Sequence, residues 1–84
     1  MQSSIMKNLK ELEGKTVTMT THHKIYGDEE FRCVLNLFQE EDKIGFLVSN
    51  HKIYLYNDEI ESIEIGFNIF KIFGKLLSIT IAII

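Results

Sequence analysis

The segment Ile53-Tyr54-Leu55-Tyr56-Asn57-Asp58-Glu59-Ile60-Glu61-Ser62-Ile63-Glu64-Ile65 sets two short apolar runs on either side of a three-residue polar knot. Short runs that alternate apolar and polar positions suit half-buried strands rather than helices. Asn and Asp close tight turns with their own side chains and tolerate left-handed backbone. The same grammar recurs upstream. Val17 and Met19 alternate with Thr16, Thr18 and Thr20, and a turn is expected around Gly27-Asp28. Phe31, Cys33, Leu35 and Leu37 share one face of the next run, with Val34 and Phe38 on the other, which implies cover on both sides for part of its length. A charged turn, Gln39 to Lys43, leads to the run Ile44–Ser49. Asn50-His51 connects that run to Lys52–Tyr56. Ile60 and Ile63 fall slightly out of alternation, the signature of a bend or bulge.

Ahead of the strands, Ile5, Leu9 and Leu12 lie at i, i+4 and i+7, which predicts a short helix with Ser3 or Ser4 as cap and Gly14 after its last turn. One helix followed by five short antiparallel strands, in a chain of only 84 residues, predicts a mainly β (α+β) fold. Closing the five strands into a small barrel removes their exposed edges. Cys33 is the sole cysteine, so no disulfide forms within the chain. The polar, helix-spaced start differs from a basic-then-apolar leader, and both features point to a reducing cytoplasm.

The Ile53–Ile63 spacing, preceded by strand, glycine-containing turn, long bent strand, turn and strand, resembles the Sm/LSm (Hfq-related) family of small barrels over roughly residues 4–65. The resemblance implies an Sm-like or SH3-like barrel, self-assembly into a homo-oligomer, and binding of short single-stranded RNA. The residues it nominates are Lys43, Tyr54, Tyr56 and Asn57, the tyrosines as stacking faces for bases. The match lies in apolar spacing. The family's Arg-Gly pair falls on Tyr56-Asn57, and its turn Asp and Asn fall near Gln39 and Lys43. In the alternative register Tyr56 agrees with the family tyrosine, and a basic pair falls on Asn57-Asp58.

Composition changes at residue 66. Residues 1–66 hold all twelve Asp/Glu and seven Lys/Arg, whereas residues 67–84 hold only Lys71 and Lys75 among twelve apolar residues. Residues 1–66 are therefore read as helix plus barrel, and 67–84 as an apolar segment packing on it or on a neighbouring subunit. Asn68, Lys71, Lys75 and Ser78 recur at helical spacing, leaving Phe67, Phe70, Phe73, Leu76 and Leu77 for packing. Gly74 disfavours a helix, and the final Ile79–Ile84 is β-prone, so helix and strand both stay open. Two lysines in its first half argue against a membrane span. A helix lying on a membrane surface, lysines towards the head groups, is the less favoured use of this segment.

Net charge is −3, which disfavours broad, sequence-blind nucleic-acid binding. His22 and His23 are adjacent in a strand and face opposite ways, so with His51 they make no expected metal site. The carboxylates fall in turns and outward positions, where they protect strand edges or meet a basic protein. No phosphate loop, nucleophile elbow or Cys/His couple is present. The expectation is a non-catalytic binding or assembly module without a cofactor. RNA is the first candidate partner; a basic protein, bound or inhibited through the acidic turns, is the alternative.

Overall fold

The computed structural model describes residues 2–48 and 51–84. Within them α1 (Gln2–Lys10) precedes eight strands: β1 (Thr16–His23), β2 (Gly27–Val34), β3 (Asn36–Gln39), β4 (Lys43–Val48), β5 (His51–Tyr56), β6 (Ile60–Gly66), β7 (Ile69–Gly74) and β8 (Leu77–Ile83). Asn57–Glu59 forms one turn of 3-10 helix between β5 and β6. The strands make two antiparallel sheets, one of five in the order β2-β1-β8-β7-β6 and one of three in the order β3-β4-β5. The mainly β expectation with an N-terminal helix is met. The five-stranded closed barrel is not: the strands divide between two sheets, and residues 67–84 supply two strands that five-strand counting omitted.

The tail is strand because its apolar residues have a use at period two. Phe70 and Ile72 of β7, and Ile79 and Ile81 of β8, are buried, while Lys71 and Thr80 alternate with them. Isoleucine and threonine are stiff at χ1 and favour the pleated backbone. Helical spacing of the polar residues lost to this burial, so neither a surface-lying helix nor a packing helix forms. β8 lies between β1 and β7, pairing from Val17↔Ile83 to His23↔Leu77 on one side and from Ile69↔Ala82 to Phe73↔Ser78 on the other. Residues on both sides of position 66 thus share one sheet. β6 and β7 join through Phe67-Asn68, with Asn68 in the left-handed region at φ 59.

The two sheets meet at a corner. The run Phe31–Phe38, expected as one bent strand, is interrupted at Leu35, which is fully buried between β2 and β3. The Gly14 N–H donates to the Leu35 carbonyl and the Leu35 N–H to the Lys15 carbonyl, each at 2.9 Å. Gly14, at φ 84, reverses the chain after the helix as expected. Phe31, Cys33 and Leu37 pack against the same core, so the predicted inward face holds. Ile5 and Leu9 of α1 complete that core with Val17, Met19, Ile44, Phe46 and Leu55. The shift between Ile60 and Ser62 in β6 is the expected bulge. The first hairpin turns at Lys24-Ile25-Tyr26, and Gly27-Asp28, expected at the turn, already open β2. The connection expected at Asn50-His51 lies partly outside the described residues. Ser3 and Ser4, expected as the helix cap, lie inside α1, which already begins at Gln2, so neither caps it.

The polar knot is scaffold as well as turn. One Glu59 carboxylate oxygen accepts the N–H groups of Leu76 (3.1 Å) and Leu77 (3.0 Å), and the Lys75 N–H donates to the Glu59 carbonyl at 3.0 Å. The carboxylate thereby satisfies the β7–β8 turn from across the fold. In urea unfolding, Ile81→Ala is expected to cost about 2–5 kcal/mol, and Phe67→Ser, at a tip 94% exposed, no more than about 0.5 kcal/mol. Equal effects would contradict the strand assignment of the tail. Glu59→Ala is expected to cost about 1–3 kcal/mol in the same assay, because two backbone donors lose a charged acceptor.

Candidate functional site

Alternation turns Ile44, Phe46 and Val48 of β4 inward, which leaves Lys43, Gly45 and Leu47 on the outer face of the three-stranded sheet. Register then decides their neighbours. Phe38, Gly45 and Tyr54 lie in one row, Lys43 stands opposite Tyr56, and Leu47 stands between Asn36 and Lys52. Gly45 lets the Phe38 ring lie directly over the strand: a Cβ there would come within 2.2 Å of the ring. Phe38 meets Tyr54 edge-on, with centroids 5.6 Å apart and planes at 85°. The Lys43 ammonium sits 4.6 Å from the Tyr54 ring centre and 5.2 Å from that of Tyr56, and Lys52 sits 5.7 Å from Phe38. Such contacts are attractions of a cation to the ring quadrupole, and water weakens them at exposed sites. Together they form a plate of three aromatic rings and two ammonium groups.

Charge is segregated around this plate. β3, β4 and β5 contain no Asp or Glu, although the chain has twelve. The nearest acids sit in the turn between β3 and β4, where Glu40 pairs with Lys43 at 3.3 Å. Its hydrogen bond raises the Lys43 pKa above the ordinary lysine value, outweighing an opposing desolvation. A raised lysine pKa means that the pairing is fully present below the ordinary value and is lost as pH climbs through the folded one. Lys43 therefore keeps its proton, and its pairing with Glu40, through neutral and mildly alkaline pH.

Of the four residues nominated from sequence, Lys43, Tyr54 and Tyr56 come together on this face. Asn57 lies at its end, where its N–H donates to the Asp42 carbonyl at 2.9 Å and its side-chain amide to the Glu41 carbonyl at 3.4 Å. Phe38 and Lys52 were not nominated. Their one sequence signal is Gly45, a glycine inside an apolar run, which marks close approach of another group. Of the tail residues, Phe70 is buried, Leu77 partly buried, and Phe67, Phe73 and Leu76 exposed. His22 faces outward and pairs with Asp28, while His23 faces the other way. Among the described residues no group of three His, Cys, Asp or Glu could hold a metal, and no helix is long and apolar enough to cross a membrane. Burial pushes the Cys33 thiol pKa up, which leaves it less nucleophilic than a free cysteine.

Compared with protein-family models, curated proteins and solved structures, the chain finds no match in any of the three. Function has to be argued from the plate itself. Gly45→Ala is expected to cost about 1–3 kcal/mol through overpacking and to lift Phe38 off Tyr54, read as lost ring-current shifts on Tyr54. Adding Phe38→Ala should recover part of that cost in a double-mutant cycle. Unchanged stability and an intact Phe38–Tyr54 contact in the single variant would refute the geometry.

Proposed function

We propose that the chain is a non-catalytic binding module whose β3-β4-β5 face takes a short single-stranded nucleic acid, RNA foremost. The observation that carries this reading is the meeting of Phe38, Tyr54 and Tyr56 with Lys43 and Lys52 on one face whose three strands carry no Asp or Glu. Successive bases stack on aromatic side chains at about 1–3 kcal/mol each, and ammonium groups between the rings meet the phosphates. The likeness of residues 4–65 to the Sm/LSm pattern points the same way. With a net charge of −3 and two cations on the face, affinity rests on stacking, and salt dependence is shallow. Two phosphate contacts on a single strand give a log–log slope of roughly −1.4.

Anisotropy titration with labelled U-rich and A-rich octanucleotides tests this reading. Tyr54→Ala is expected to weaken binding by about 1–3 kcal/mol. Lys43→Ala is expected to flatten the salt slope by about 0.7. No saturable binding at low salt, or binding indifferent to Tyr54, removes the proposal. A second reading draws on the exposed turn Glu40-Glu41-Asp42 at the end of the same face, which offers a negative contact to a basic protein. Binding of that kind would survive Tyr54→Ala and disappear on charge reversal of Glu41 and Asp42.

A further inference from the structure

Behind the plate, the inner face of the three-stranded sheet meets the five-stranded one. Inward positions on β1 begin apolar, with Val17 and Met19 fully buried, and then become Thr21 and His23. On β2 the inward Cys33 and Phe31 give way to Glu29, and on β5 Leu55 and Ile53 give way to His51. Three strands from two sheets turn polar at the same end, and these polar residues line an open cleft of about 310 Å³. That volume is at the lower end for small-ligand sites. Thr21, only 7% exposed, is the most deeply set of them.

The cleft combines flat rings with directed hydrogen-bonding groups. Phe31 of one sheet faces His51 of the other with centroids 6.4 Å apart, and His23 lies 4.6 Å from Tyr26. The N–H groups of Ile25 (3.0 Å) and Tyr26 (3.2 Å) donate to Nδ1 of His23 and fix its ring beside the turn. The Glu29 carboxylate lines the cleft and, among the described residues, has no hydrogen-bond or ion-pair partner there. Lys52 lines it too, and the same ammonium lies beside Phe38 on the outer plate.

We propose that this cleft binds a guanine base. Guanine presents two adjacent donors, N1–H and the 2-amino group, which a carboxylate accepts as a parallel, charge-assisted pair. Adenine and cytosine place an acceptor next to their amine, and uracil sets its single N–H between two carbonyls, so each turns a lone pair towards Glu29. The flanking rings supply stacking. The cleft stands on its own geometry; the choice of a nucleobase as its occupant rests on the nucleic-acid reading above. The guanine is supplied either as a free nucleotide or as the last base of a strand crossing the plate.

NMR titration of the full chain with GMP, AMP, CMP and UMP decides the matter. GMP is expected to shift the amide signals of Thr21, Glu29, Phe31 and His51 saturably, and Glu29→Gln to weaken it on the order of 10- to 100-fold. No GMP-dependent shift at millimolar nucleotide, equal response to all four, or indifference to Glu29→Gln overturns the proposal. A parallel titration compares U8 with U7G. Tighter binding of U7G, lost in Glu29→Gln, identifies a strand end as the source; equal oligonucleotide binding beside a GMP response identifies the free nucleotide. If U8 binds through Tyr54 while GMP leaves the cleft untouched, the cleft proposal alone falls. If neither binds, the plate falls with it.

Discussion

Pairing of β8 against β1 is the contact on which the remaining architecture hangs. It places Ile81 opposite Met19 and Ile83 opposite Val17 against the core and gives β7 and β6 a strand to follow. On its other edge β1 holds β2, whose continuation through Leu35 carries the chain into the three-stranded sheet. The position of β3, β4 and β5 is thereby set by a strand they never touch in register. Glu59 adds a second tie, joining the 3-10 turn after β5 to the β7–β8 turn.

The three-stranded sheet has two faces with different tasks. Ile44, Phe46, Val48 and Leu55 turn inward and are fully buried, and the same strands carry Phe38, Lys43, Lys52, Tyr54 and Tyr56 outward. Period-two backbone makes this division automatic. Gly45 is where the two requirements meet, because an absent side chain lets an aromatic ring cover the strand that would otherwise be bare. Confining the acids to turns and to the other strands leaves Glu40, paired with Lys43 at its end, as the carboxylate that reaches this face.

Alternation made the strands from Thr16 to Ile65 readable, including the inward set Phe31, Cys33, Leu35 and Leu37 and the irregularity after Ile60. The corner at Leu35 was not readable, since apolar alternation runs through it unbroken and only its bonds to Gly14 and Lys15 show the change of sheet. Asn68, Lys71, Lys75 and Ser78 satisfied a helical period by coincidence: Lys71 and Ser78 alternate out of two paired strands, and Asn68 and Lys75 belong to the turns. Tyr54 and Tyr56 share a face by parity alone, so that part of the plate was legible. Phe38 and Lys52 join it through cross-strand register, which one sequence does not encode in any local signal. Asn57 was nominated by family position, and its hydrogen bonds instead draw it into the turn.

The first strand and the last are partners, and this has a bearing on synthesis. While a ribosome is still making residues 67–76, β1 has β2 on one edge and nothing for the other. That bare edge runs through Thr16–Thr21, a stretch with no charge and no proline to discourage a stranger from pairing with it. The larger sheet is therefore assembled only after Leu77–Ile83 has emerged, by a contact that spans most of the chain, a topology that folds slowly. Any cell making this protein handles a nascent chain whose most sociable edge is the last to be covered.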